Sequence, residues 1–188
     1  MQNNLIDIGA NLTHSSFDSD RKAIIEESFK HGIKNIIITG SNYLDSYEAH
    51  LLATQYPTKL YSTAGIHPHY AKEFNRESIK LLKNLLTHVN VKAVGECGLD
   101  YYRNYSSKKS QKLAFEGQIK LAIDSKKPIF LHQRDAHNDF LKILSPFANK
   151  LNGGVAHCFT GDKDILKEYL DLGLHVGITG WICDDRRN

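Results

Sequence analysis

The sequence predicts an α/β protein, a TIM-type (β/α)8 barrel truncated to about seven strands. Three observations carry that prediction. Seven short apolar, mostly β-branched runs alternate with longer runs of helical periodicity. Six of the seven are mainly continuous rather than alternating, as parallel strands covered on both faces should be. No Gly-x-Gly-x-x-Gly follows the first run, which counts against an open dinucleotide-binding sheet and favours the barrel.

The strand candidates are residues 5–10, 33–40, 60–67, 91–98, 128–134, 154–160 and 175–180, of which 60–67 is the least continuous. Helices fall between them. After Ser107, residues Phe115, Ile119, Ala122 and Ile123 share one face, and Ile165, Leu166, Tyr169 and Leu170 repeat the pattern. Gly32 and Gly173 are placed to end helices, and Ser19 and Asn42 to cap them. No composition break marks a linker, so residues 1–188 are expected to be one barrel domain without its last strand and helix.

Composition narrows the class. The 188 residues are 41% hydrophobic and 24% charged, near the average of folded domains, which excludes disordered and low-complexity readings. No apolar run approaches the roughly 18 to 20 residues that cross a bilayer, and residues 1–4 lack the layout of a signal peptide, so no membrane partner is expected. Three cysteines do not suggest a secreted disulfide framework, which makes the cytoplasm the expected location. A net charge of +3 neither requires nor repels a nucleic-acid partner. The chain is expected to be a monomer.

In such folds the chemistry gathers where strands end. Strand 3 runs into His67-Pro68-His69, strand 4 carries Glu96, strand 5 ends on His132-Gln133-Arg134-Asp135 and strand 6 on His157-Cys158-Phe159. Adjacent strand ends lie about 5 Å apart, so Glu96, His132 and His157 can converge on one point. Any one of these histidines alone reads as a structural residue, and Glu96 is costly to bury unless paired or metal-bound. Together, two imidazoles and a carboxylate suit a divalent metal such as Zn²⁺ or Mn²⁺, whereas oxygen-rich sites suit Mg²⁺. His67 and His69 fit roles as ligands, acid–base groups or phosphate contacts. Cys97 and Cys158 read as small core residues rather than ligands. The segment Tyr101-Tyr102-Arg103-Asn104-Tyr105, directly after strand 4, combines aromatic faces with a cation, a pattern that stacks unpaired bases and holds phosphates, or else packs a core or an interface.

Four stretches together resemble the TatD family of metal-dependent deoxyribonucleases, within the amidohydrolase-like barrels. They are Ala64-Gly65-Ile66-His67-Pro68-His69, Gly95-Glu96-Cys97-Gly98-Leu99-Asp100, His132-Gln133-Arg134-Asp135-Ala136 and His157-Cys158-Phe159-Thr160-Gly161. Many members carry an Asp-Ser-His-x-His-x-Asp stretch after strand 1. This chain reads Asp7-Ile8-Gly9-Ala10-Asn11-Leu12 instead, which, with residues 178–187, resembles the TatD branch proper. The resemblance implies a Mg²⁺-dependent 3′-5′ exonuclease acting on single-stranded DNA and RNA, and loss of two imidazoles suits Mg²⁺ better than Zn²⁺. It implies Glu96, His132 and His157 as metal ligands, with Glu96 and His67 catalytic. His67, His69, Arg134, Tyr102 and Arg103 would contact substrate. The family's strand-8 aspartate, in a Glu-Thr-Asp-x-Pro-Tyr motif, has no counterpart in these 188 residues. Two other readings accompany the nuclease: an amidohydrolase acting on small substrates with similar ligands, and a catalytically inactive truncated paralogue.

Overall fold

The computed structural model describes residues 5–185. Residues 1–4, with their polar start, and Arg186 and Arg187 of the last matching stretch lie outside them. The elements alternate: β1 (Leu5–Ala10), α1 (Arg21–Lys30), β2 (Ile33–Ile38), α2 (Tyr43–Thr54), β3 (Leu60–Ala64), α3 (Arg76–Leu85) and β4 (Val91–Asp100). There follow α4 (Lys108–Ser125), β5 (Ile129–Arg134), α5 (His137–Leu144), β6 (Gly154–Ala156), α6 (Lys163–Asp171) and β7 (His175–Val176). Seven parallel strands pair in the order β1-β2-β3-β4-β5-β6-β7 and curl into a half-barrel. Among the described residues β1 and β7 do not pair with each other, so the barrel is open between them.

Local chemistry accounts for the boundaries. Asn42 caps α2 by accepting from the Asp45 amide, and Asn75 and Ser78 form a reciprocal capping box on α3. Gly32 and Gly173 leave their helices at φ of 94° and 74°, in the left-handed region that side chains avoid. Ser19 is not a cap. Helix α1 begins one residue later, behind Asp20, and no side chain caps it. On α6, Tyr169 is buried and Ile165 and Leu166 half-buried, but Leu170 faces solvent.

Most strands end earlier than their apolar runs, and β4 ends later. Beyond β3, β6 and β7 the amides leave the ladder for single cross-links, and after β6 the chain bends at Cys158. The His67 amide donates to Ser41 O at 2.7 Å and the Phe159 amide to Gly177 O at 3.0 Å. These freed segments carry the polar side chains.

Two apolar clusters pack the helices against the sheet. The larger joins β3–β6 to α3–α6 around Leu99, Phe115, Ile119, Leu131 and Phe140, with Phe115 and Phe140 stacked at 5.1 Å. The smaller joins β1 and β2 to α1 and α2 around Ile25, Ile36, Ile38 and Ala49.

Candidate metal centre and nucleic-acid cleft

The close approach of β4 to β5 begins with two glycines. Gly95 and Gly98 adopt φ of 135° and 142°, and a Cβ there would stand 2.2 Å from Phe130 O and 1.9 Å from His132 O. Only glycine lets the backbones meet so closely, and the approach brings Glu96 to the imidazole of His132.

One oxygen is the focus. Glu96 Oε1 lies 2.6 Å from His157 Nε2, 3.0 Å from His132 Nδ1 and 3.5 Å from His67 Nε2. His132 Nδ1 is also 3.2 Å from His157 Nε2. The structure therefore brings together the three residues predicted as ligands, and it brings His67 in with them. His67, Glu96 and His132 present donor atoms that all lie within 4.8 Å of one another.

Burial opposes ionisation of Glu96, but hydrogen bonds from His132, His157 and His67 outweigh it and hold the carboxyl well below its ordinary range. Burial likewise opposes a charge on His132. The Asp100 and Glu96 carboxylates beside it win and push its pKa up to about 9. His67 is shifted the other way, because burial outweighs its bond to Glu96. The cluster is thus a buried anion balanced by protons that a cation would displace.

The donor set fits a divalent ion. Donors bound to one ion at about 2.1 Å stand roughly 3 to 3.4 Å apart, and the separations around Glu96 Oε1 bracket that spacing. Three imidazoles and a carboxylate are also the ligand types that such ions take.

A residue the sequence reading passed over supports this cluster. Asp100, the last residue of β4, is 1% exposed. Its Oδ1 accepts the Tyr102 and Arg103 amides at 3.0 and 2.9 Å, and its Oδ2 accepts His69 Nε2 at 2.9 Å. Burial raises its pKa, but the facing His132 imidazole and the bonds from the Arg103 amide and His69 hold it far below the usual carboxylate range. Two buried glutamines of α4 were also missed. Gln118 clamps both the amide and the carbonyl of Ile66, at 2.7 and 2.9 Å, next to His67. Gln111 clamps the amide and carbonyl of Asp100, at 2.8 and 3.0 Å. Both lie on the apolar face defined by Phe115, Ile119 and Ala122, and a glutamine at a core position was the available signal.

The predicted substrate contacts divide. His69 lies against His67 and Tyr105, with ring centroids 4.2 and 4.7 Å away. Arg134 rests over the exposed ring of Tyr102 at 3.8 Å. Arg103 turns to the Tyr105 hydroxyl at 3.4 Å instead of joining that pair. Tyr101 is tied down, its hydroxyl donating to Asp139 at 2.6 Å. Cys97 is a core residue whose thiol burial pushes far up. Cys158 corrects the expectation: it is half-buried, with φ of 50°, and lines a cleft with Sγ 3.4 Å from Thr179 Oγ1, because β6 has already ended.

Two clefts meet at the His132–His157 pair. One of about 940 Å³ runs past Arg134, Cys158 and Trp181. The other, about 380 Å³, lies towards β1 and includes Asn11, Ser41, His67 and Glu96. No helix among the described residues is long and apolar enough to cross a membrane.

Comparison with known proteins agrees with this geometry. The family described as TatD related DNase matches residues 6–188. A protein of Erwinia billingiae (strain Eb661) named "3′-5′ ssDNA/RNA exonuclease TatD" is 46% identical over 183 residues, spanning 97% of this chain and 70% of the relative. The crystal structure of the Escherichia coli K12 TatD homologue YjjV superposes with a TM-score of 0.89 at 26% identity, covering 99% of this chain and 72% of the other. A TatD family hydrolase of Entamoeba histolytica gives a TM-score of 0.84 at 28% identity, covering 96% and 66%.

Proposed function

The chain belongs to the TatD related DNase family, and on that premise we propose that it hydrolyses phosphodiester bonds of single-stranded DNA or RNA, from the 3′ end, with a divalent metal. The observation that carries this reading is the convergence of His157, His132 and His67 on one oxygen of Glu96, at 2.6, 3.0 and 3.5 Å. The exonuclease names of relatives such as that of Erwinia billingiae support the substrate and polarity.

Glu96, His132 and His157 would hold the ion, Mg²⁺ being our choice, with His67 at the edge of the set. When bound, such an ion supplies positive charge at the scissile phosphate and lowers the pKa of a nearby water. The chain's own residues do the rest. His67 Nε2 donates a hydrogen bond to a phosphate oxygen entering beside Glu96. Arg134, at the mouth of the larger cleft, binds the next phosphate, and Tyr102 beneath it offers a face to an unpaired base. His69 and Arg103 complete the grip from the loop after β4. Three free cysteines among the described residues suit a reducing compartment, which supports a cytoplasmic location.

We propose further that this half-barrel is part of one hydrolase domain whose closing strand supplies an additional acidic group. The open side between β1 and β7 and the 70% coverage of the relative from Erwinia billingiae support that reading.

The test is digestion of a 3′-labelled single-stranded oligonucleotide with Mg²⁺ by the chain carrying its closing strand. Glu96→Ala is expected to abolish turnover. Undiminished digestion by that variant overturns the assignment.

A further inference from the structure

The exposed half of the site is easy to read as its working part, but the most constrained group lies beneath it. Asp100 uses its two oxygens differently. Oδ1 takes the Tyr102 and Arg103 amides and so shapes the aromatic loop. Oδ2 faces two imidazoles, His69 Nε2 at 2.9 Å and His132 Nε2 at 3.3 Å. His132 Nε2 is close but poorly aligned, one of three buried side-chain polar atoms without a hydrogen-bond partner among the described residues. Asp100, 1% exposed, is closed off from bulk solvent.

An ionised carboxylate only accepts hydrogen bonds, so each imidazole nitrogen facing Oδ2 must carry the hydrogen. For His132 that leaves Nδ1, 3.0 Å from Glu96 Oε1 and 3.2 Å from His157 Nε2, as the nitrogen that gives up its hydrogen when a cation enters the cluster. From this geometry we propose that Asp100 is a positioning residue that fixes His132 as the Nε2–H tautomer, keeping Nδ1 free to bind the cation. The inference rests on the metal reading above. It also gives one carboxylate two tasks, since the same side chain holds the loop that bears Tyr102 and Arg103. An outer carboxylate behind a ligand imidazole sets both the ring's orientation and its basicity.

Asp100→Asn separates the two tasks. The amide oxygen still accepts both loop amides, which fix the orientation of the side chain. Its NH₂ then faces His132 Nε2 and His69 Nε2, which must become acceptors. The hydrogen of His132 moves to Nδ1 and blocks the lone pair.

The experiment is calorimetric titration of Mn²⁺ into the wild-type chain and D100N, with far-UV circular dichroism and ion-free melting as controls. Unchanged melting with Mn²⁺ affinity lowered 10- to 100-fold is the expected result. Equal affinities overturn the proposal and leave Asp100 as a loop clamp alone. A wild-type chain that binds no Mn²⁺ overturns both this proposal and the metal reading. Should D100N not fold, the tautomer is read directly by NMR of the ¹⁵N-histidine-labelled, Mg²⁺-loaded wild type. A hydrogen on His132 Nε2 with none on Nδ1 sustains the proposal, and a hydrogen on Nδ1 overturns it.

Discussion

Strands β1 and β4 have comparable apolar content, yet they sit in opposite environments. Nine of the ten residues of β4 are buried, whereas β1 has none buried and leaves Leu5 and Ile6 more than half exposed. β4 is flanked by β3 and β5 and roofed by α4, while β1 pairs only with β2. Glu96 and Asp100 are both on β4, and the residues that complete the cluster come from the neighbouring β3, β5 and β6 ends. The difference teaches where precision comes from in this half-barrel. Catalytic geometry needs side chains whose positions are over-determined by packing and hydrogen bonds. Here only the central strands offer that.

The sharpest way to break the contrast is through packing. Phe115→Ala removes a ring that stacks on Phe140 inside the large cluster, and should destabilise the chain by about 3–5 kcal/mol. Leu5→Ala on the exposed edge should change stability by less than about 0.5 kcal/mol. Chemical denaturation of the two variants compares them, and equal losses would erase the distinction between the regions.

A second comparison tests hydrogen bonds instead of volume. Gln118→Leu strands the Ile66 amide and carbonyl in the core, an effect of about 2–4 kcal/mol. It should also weaken Mn²⁺ binding, because Ile66 anchors His67. Asn35→Ala, which loses an exposed bond to Thr58 O, should cost under about 0.5 kcal/mol and leave Mn²⁺ binding as it was. Melting curves with and without the ion distinguish the two effects.

The smallest expected effect lies at the opposite end of the sheet. His50, on α2, is buried and packs 4.2 Å from His88. Burial first, and then the charge of His88, lower its pKa below 6.5, against a hydrogen bond with Asn90 that raises it. The unfolded chain therefore binds the extra proton first, and the stability tied to neutral His50 is lost as the pH falls below about 6.5. Melting temperature followed from pH 7.5 to 5 should fall more steeply for the wild type than for His50→Gln. Parallel curves would contradict this.

Much of this was legible in the sequence. β1 has the bounds its apolar run predicted, seven strands were read and seven are present among the described residues, and Glu96, His132 and His157 were placed together from strand-end logic alone. What escaped notice shares one physical character. Strand ends were overextended because an apolar run does not reveal where amides leave the ladder, as at His67 and Phe159. Asp100, Gln111 and Gln118 were missed because periodicity counts apolar residues, while these are polar groups made tolerable by partners distant in sequence. His69 and Asp100, 31 residues apart, are such a pair. Ser19 failed as a cap because a capping residue is recognised only relative to a helix start that lies one residue further on.

We propose the Glu96 cluster on the packed strands as a divalent-cation site. Diffraction from crystals soaked in Mn²⁺, with the anomalous signal of the metal recorded, tests it most directly. An anomalous peak within coordination distance of Glu96 Oε1 and His132 Nδ1 is expected. A peak elsewhere, or none in the cluster at saturating Mn²⁺, would contradict it.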